Sequence, residues 1–166
     1  TGLPEGIPVI TGVGDFPASL LGSGVFRPGT GSDSTGTSTL VTLCTSHPTL
    51  DPTITNVMSV DGQNWNAFTI LDAGGDAMRW ARRAFHQNEY SYQKIVELAQ
   101  SAPAGSDHLL FVPYLNGERL GPHQNARAQF FGLTSGHDIA HLHRAVMEGV
   151  AFAARRNLRV MKTAGH

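Results

Sequence analysis

The pattern of apolar positions changes near Asp72. Before it, residues 7–13 and 38–46 are short runs rich in Val, Ile, Thr and Leu, and they end at glycine or at a polar loop. Such runs are typical of β-strands. Asp61-Gly62 lies between apolar flanks and predicts a β-hairpin. We therefore expect the first part of the chain to be rich in strands.

Residues 16–22 read FPASLLG and interrupt this strand-rich part. Pro17 near the start and glycines at 22 and 24 are the residues that commonly begin and end a short helix. The sequence therefore predicts a helix directly after the first strand.

After Asp72 the apolar residues recur every three or four positions, which is the period of an amphipathic helix. One helix is predicted directly after Asp72, a second over roughly residues 89–101, and a strand over 108–115. A long last helix carries apolar residues on one face, namely Ile139, Leu142, Val146, Val150 and Ala153. Asp138 at its start matches the helix dipole. Strands and helices that alternate in this way indicate an α/β architecture.

The composition argues against nucleic-acid-binding and membrane proteins. The 166 residues are 40% hydrophobic and 15% charged, with a formal net charge of −1. This composition is typical of a globular domain, and it lacks the basic runs that bind nucleic acid or anionic membranes. No apolar stretch approaches the ~20 residues that span a bilayer. Cys44 is the single cysteine, which suits a reducing compartment, and its apolar neighbours predict a buried core position.

Asp15 is a candidate general base, because it follows the first predicted strand in a glycine-rich stretch where a substrate can approach closely. Asp also favours helix starts and turns, so a purely structural role is the alternative. Gly36, Thr37 and Ser38 offer backbone N–H groups and two hydroxyls to one anion. The stretch lacks the lysine of a P-loop, and an ordinary loop is the alternative.

Two further motifs carry titratable residues. His137 and His141 are four residues apart and could share one helix face, but the HExxH pattern of zinc enzymes is absent. We expect capping and packing roles, and no metal site. Glu118 and Arg119 follow a strand and a tight turn. They predict an ion pair or loop anchor, with a position in a cleft as the alternative.

The order and spacing of these pieces closely resemble the FGGY carbohydrate kinases, with the xylulokinase-like branch nearest. The resemblance rests on four stretches: GLPEGIPVITGVGD at 2–15, GTS at 36–38, FVPYLNGERLGPHQNARAQFFGL at 111–133 and HDIAHLHRAVMEGVAFAARRNL at 137–158. The family signature falls between Ala128 and Glu148.

The resemblance implies a two-domain, actin-like and ribonuclease-H-like fold with ATP and sugar in the cleft between the domains. Family members are much longer than this chain. Residues 1–166 are accordingly expected to be part of the C-terminal domain, without the N-terminal domain and the glycine-rich adenosine loop. We expect the isolated chain to be inactive.

The resemblance also implies site roles. Asp15 matches the catalytic aspartate, which takes the proton of the attacking sugar hydroxyl, and Gly36, Thr37 and Ser38 match the loop that contacts the ATP phosphates. Asp15 and Phe16 are the expected sugar contacts. ATP and Mg²⁺ are the expected cofactors, with the Mg²⁺ ligands mainly in the missing domain.

This chain departs from the family pattern at three places. Phe16 stands where the xylulokinase branch has Asn, Thr39 where the loop continues with Gly, and Ala126-Arg127-Ala128 where the family has ARG. Phe cannot hydrogen-bond a sugar hydroxyl, and this departure weakens the assignment to xylulose itself. The expected substrate is therefore a sugar such as xylulose or a related ketose or polyol.

The sequence therefore predicts a cytoplasmic, ATP-dependent sugar kinase that binds neither nucleic acid nor membrane, and it leaves a homodimer open. The alternative is a non-catalytic fragment that binds nucleotide weakly or only packs against a partner domain.

Overall fold

A four-stranded antiparallel sheet organises the first half of the chain. The computed structural model describes residues 2–163. The strands are β1 (Gly31–Thr35), β2 (Thr39–Thr45), β3 (Thr55–Met58) and β4 (Trp65–Leu71), in the spatial order β1-β2-β4-β3. The α/β character that the sequence predicts is present, but all the pairs within this sheet are antiparallel.

Two hairpins build this sheet. The β1–β2 hairpin closes with Thr35 opposite Thr39, so residues 36–38 form its turn. The hairpin that Asp61-Gly62 predicts is confirmed, because β3 and β4 pair on either side of it. In its turn the Asp61 carboxylate accepts hydrogen bonds from the backbone N–H groups of Gln63 and Asn64. The sequence predicted only β2 of the first hairpin. Strand β1 reads GSDST and lacks the apolar pattern that identifies strands.

Among the described residues there are four α-helices, one before the sheet and three after it. They are α1 (Asp15–Gly22), which precedes the sheet, and α2 (Gly74–His86), α3 (Tyr92–Ser101) and α4 (Ile139–Thr163), which follow it. The predicted helices are confirmed. Asp138 lies just before α4 and accepts hydrogen bonds from the N–H groups of Ala140 and His141, so it caps this helix from outside its first turn.

One core joins α2 and α4 to a two-stranded ribbon of β5 (Leu110–Val112) and β6 (Gln129–Phe131). Gly149 on α4 lies so close to the Phe111 carbonyl that a side chain there would overlap it. The buried residues of this core are Ala77, Ala81, Leu109, Phe111, Ala145 and Val146. A second cluster covers the sheet, and a third joins α1 to Cys44, which is fully buried as predicted.

The prediction of a strand over residues 7–13 is wrong for this structure, since the segment is irregular. Its apolar side chains point into solvent, with Val9 93% exposed and Ile10 86% exposed. A strand needs a neighbour to accept and donate its backbone hydrogen bonds, and no described residue supplies one here. Within residues 2–163, no helix is both long and apolar enough to cross a bilayer.

Candidate active site

The turn between β1 and β2 brings the predicted phosphate-binding residues together. The Gly36 N–H donates to the Ser38 carbonyl over 2.8 Å, which closes the turn. Gly36 and Thr37 are exposed and Ser38 is half-buried. Within the described part of the chain, the N–H groups of Thr37 and Ser38 have no hydrogen-bond partner. The turn therefore presents two free backbone donors and two hydroxyls, a set suited to an anion.

The start of α2 lies directly against this turn. The N–H of Gly75 donates to the Gly36 carbonyl over 2.9 Å, and the N–H of Asp76 donates to the Thr37 carbonyl over 3.0 Å. A Cβ on Gly74 or Gly75 would overlap the turn backbone. The first N–H groups of a helix lack partners within the helix, and here the turn satisfies two of them. These contacts fix the turn relative to α2.

Arg79 is a site residue that the sequence analysis missed. Its guanidinium donates to the Thr37 hydroxyl over 3.0 Å and lies 3.8 Å from the Asp76 carboxylate. It is four residues after Gly75, so both lie on the α2 face that meets the turn. The spacing of Gly75 and Arg79 shows that they share a helix face, but the sequence does not show that this face meets the turn. Arg79 adds an exposed positive charge beside the predicted phosphate site.

A cleft of about 340 Å³ opens beside the turn. Its lining includes Thr37 from the turn, Asp72 from the segment between β4 and α2, Asp76 from the first turn of α2, and the loop residues Asn116, Gly117, Glu118 and Arg119. Arg119 binds the Asp72 carboxylate through its backbone N–H at 2.7 Å and through Nε at 2.6 Å. Both roles considered for Arg119 are therefore present, although its ionic partner is Asp72 and not Glu118.

Glu118 is a buried carboxyl group in this cleft, with 8% of its surface exposed. The Asp72 N–H donates to its two oxygens, over 3.2 and 3.4 Å. Burial raises the pKa of Glu118 from 4.5 to about 7, and the nearby charge of Asp72 adds to this. The Asp72 N–H, Arg156 and Arg119 act in the opposite direction. Glu118 therefore lies beside the candidate phosphate turn with a proton that titrates near neutral pH.

Asp15 lies elsewhere, at the first position of α1. It is exposed, and its carboxylate accepts one hydrogen bond among the described residues, from the Phe16 N–H at 2.8 Å. Asp15 does not line the cleft that holds Thr37. Helix α1 packs through Leu20 against Cys44, which lies on β2 six residues after the end of the turn. The structure thus does not bring Asp15 into contact with the residues predicted to bind phosphate.

Phe16 points into the protein and is half-buried. Its ring packs edge-to-face on Phe68, with 4.9 Å between the ring centroids, and it contacts both the sheet cluster and the Cys44 cluster. This packing gives Phe16 a structural role whether or not a sugar touches its exposed part. Its predicted contact with substrate stays a prediction.

The predicted capping role is present at His141, which contacts the capping residue Asp138, whereas the side-chain hydrogen bonds of His137 are with residues outside α4. His141 binds the carboxylates of Asp138 at 2.7 Å and Asp107 at 3.2 Å. The Asp138 carboxylate, followed by that of Asp107, raises the pKa of His141. His137 contacts Thr134 and the Asp107 carbonyl. No group of three or more His, Cys, Asp or Glu residues within 2–163 is arranged to hold a metal ion.

A known protein family matches most of the chain. Residues 31–166 match the model of the FGGY family of carbohydrate kinases, C-terminal domain. The match begins at Gly31, the first residue of β1, and leaves residues 1–30 outside it. The predicted domain bounds of 1–166 stay a prediction.

Curated relatives and solved structures are about three times longer than the chain. Xylulose kinase from Staphylococcus epidermidis is 32% identical over 99% of this chain and 34% of its own length. Gluconokinase from Bacillus subtilis is 31% identical over 91% and 32%. The crystal structure of xylulose kinase from Rhodospirillum rubrum superimposes with a TM-score of 0.90 at 32% identity, covering 100% of this chain and 34% of that one. The expected fold, a partial actin-like and ribonuclease-H-like domain, is confirmed by these matches.

Proposed function

Because the chain belongs to the FGGY family of carbohydrate kinases, we propose that the full-length protein transfers the γ-phosphate of ATP to a sugar hydroxyl. This chain contributes the catalytic base and part of the ATP phosphate site. The observation that carries the proposal is the turn at residues 36–38, which presents free N–H groups and hydroxyls beside a cleft and has Arg79 at its edge. Donors fixed in this way stabilise phosphate charge without rearranging.

Asp15 acts as the general base in this proposal. Its carboxylate takes the proton from the attacking sugar hydroxyl while the hydroxyl oxygen bonds to the γ-phosphorus and the bond to ADP breaks. The surrounding glycines leave room for both reactants to meet in line. Asp15 is exposed, so its carboxylate is accessible to a substrate that is bound from outside this chain.

The substrate is a sugar such as xylulose or a related ketose or polyol. Relatives named xylulose kinase and gluconokinase are similarly distant from this chain, so both substrate classes belong in the test. Phe16 is the proposed selectivity residue, because its exposed part lies next to Asp15 and offers no hydrogen bond to a hydroxyl. Phe16→Asn is expected to raise turnover of xylulose relative to the preferred substrate.

Mg²⁺ would enter with ATP, but the described residues do not form a site for it. Asp72 and Asp76 line the cleft, yet Arg119 already engages the Asp72 carboxylate. We therefore propose that the protein ligands of Mg²⁺ lie mainly in the part of the full-length protein that this chain does not span. We also propose a cytoplasmic location, on the basis of the single buried cysteine.

The second candidate function is a non-catalytic module that binds nucleotide weakly or packs against a partner domain. The separation of Asp15 from the cleft favours it for the isolated chain, which we expect to be inactive. Robust, sugar-dependent ADP release from a pure 166-residue sample would contradict this expectation.

A substrate panel on the full-length protein tests the proposal. ADP release is measured with ketoses, polyols and gluconate, and the Asp15→Asn variant serves as the catalytic control. Sugar-dependent ADP release that falls with Asp15→Asn supports the kinase. A folded full-length protein that releases no ADP with any member of the panel favours the non-catalytic function.

A further inference from the structure

We propose that Asp72, Glu118 and Arg119 form a clamp that holds the start of α2 and thereby sets the position of the turn at residues 36–38. The three residues act as positioning residues, because they reach the turn through the α2 backbone. The role in ATP binding rests on the proposed function above, whereas the clamp itself does not.

The clamp holds Asp72 at both its backbone and its side chain. Glu118 accepts a hydrogen bond from the Asp72 N–H, while Arg119 donates to both oxygens of the Asp72 carboxylate. Two consecutive residues of one loop therefore bind a residue more than forty positions earlier in the chain. Asp72 directly follows β4 and comes just before α2.

Helix α2 needs such an external anchor. Its N-cap residue, Ala73, makes no side-chain capping hydrogen bond. The next residues, Gly74 and Gly75, have no side chains and pack directly against the turn. The start of α2 is thus held by the clamp on one side and by the turn carbonyls on the other. Any shift at Asp72 is transmitted over three residues to the Gly75 N–H that binds Gly36.

Stability alone explains the clamp poorly. The Arg119 side chain is 64% exposed, and exposed ion pairs contribute little to stability. Glu118 is buried, where a carboxyl group is costly and an apolar side chain of similar size would often serve as well. Fixed hydrogen bonds to one backbone N–H specify a position, which apolar packing does not. The charged and titratable groups facing Glu118 are Asp72, Arg119 and Arg156, with Tyr114 and His123 in the adjoining cavity.

The test compares Glu118→Leu with Glu118→Gln in the full-length protein. Leu removes the acceptor for the Asp72 N–H, and Gln retains one. Arg119→Gln removes the ionic part of the clamp, and Lys94→Gln, on the exposed surface of α3, is the matched control for the charge. Hydrogen exchange of residues 36–40 and 73–79 reports the clamp without reference to activity.

We expect faster exchange in both segments with Glu118→Leu and Arg119→Gln, and wild-type exchange with Glu118→Gln and Lys94→Gln. The KM for ATP should rise about tenfold in the first two variants, with the KM for sugar unchanged. Unchanged exchange in both clamp variants would overturn the clamp. Faster exchange with an unchanged KM for ATP would keep the clamp and overturn the assignment of the turn to the phosphates.

Discussion

The two parts of the candidate site are built in opposite ways. The turn at residues 36–38 is surrounded by partners, namely two strands, the start of α2 and Arg79. Asp15 follows an irregular segment whose apolar side chains are exposed, and its carboxylate accepts a single hydrogen bond among the described residues, from the N–H of its neighbour Phe16. Residues 31–166 match the family model, and Asp15 lies before that match.

This difference indicates where each part obtains its geometry. The turn is positioned by contacts within the chain, so a change there should alter both structure and nucleotide binding. The Asp15 backbone is held by α1, but its carboxylate contacts only the Phe16 N–H among the described residues, so a change of this side chain should alter chemistry alone. The chain spans about a third of its relatives' length.

The largest effect is expected for Asp15→Asn in the full-length protein. Asn keeps the shape of the side chain but cannot accept a proton, so turnover should fall by ~10²–10⁴-fold. The KM for ATP and the melting temperature should remain near wild type, because the phosphates and the core lie elsewhere. Steady-state kinetics and circular dichroism on one sample measure both. A folded variant with more than about a tenth of wild-type turnover would make Asp15 a structural residue.

Thr37→Val should produce the next largest effect, and it acts on binding. The substitution removes the hydroxyl that Arg79 contacts and that the proposed site offers to phosphate. Loss of a hydrogen bond to a charged group costs ~1.5–3 kcal/mol, which is roughly a ten- to hundredfold rise in the KM for ATP. Thr163→Val, whose hydroxyl donates to the Arg159 carbonyl, is the matched control. A rise in the KM for sugar instead would move the turn to the sugar site.

Gly75→Ala tests whether the turn depends on close packing. The added methyl group would overlap the Gly36 carbonyl, so the turn or α2 must shift. Forced overpacking costs ~1–3 kcal/mol of stability, and here the KM for ATP should rise as well. Gly136→Ala is the control, because a Cβ there has space and ordinary contacts. Chemical denaturation measures the stability, and equal stability of Gly75→Ala and wild type would show that the contact is loose.

The smallest effect is a pH dependence that arises within the well-packed region. His143 on α4 is fully buried, and its Nε2 lies 2.8 Å from the Nε2 of His86 on α2. Burial lowers the pKa of His143 from 6.5 to about 4, and the nearby His86 adds to this. Below pH 6.5 the side chain of His143 is protonated in the unfolded chain but stays neutral in the folded chain. The contribution of His143 to the free energy of unfolding is therefore complete above pH 6.5 and is lost as the pH falls towards 4.

At pH 5 this loss should amount to roughly 1–2 kcal/mol relative to pH 7. His143→Leu should remove most of it, because Leu cannot bind a proton in the unfolded state. Urea denaturation of both proteins at pH 5 and pH 7 measures the difference. Parallel losses in the two proteins would assign the acid sensitivity to other groups.

Sequence patterns predicted the elements that depend on local periodicity. The apolar spacing from Ile139 onward predicted α4, and Asp61-Gly62 predicted the β3–β4 hairpin. Both features depend only on residues that are close together in the sequence. The same patterns failed for residues 7–13, where the composition favours a strand but no partner strand is present. They also missed β1, whose serines and glycine pair with β2 because the tight turn places them there.

The sequence by itself determined the family, the helices, the buried Cys44 and the residue types that phosphate transfer requires. Tertiary structure alone decided which residues meet. Arg79 reaches Thr37 across 42 positions, and Arg119 reaches Asp72 across 47. Glu118 acquires its raised pKa only because the fold buries it against Asp72. Such contacts depend on how strands and helices pack in space, and residues so far apart leave no local periodicity that could reveal them.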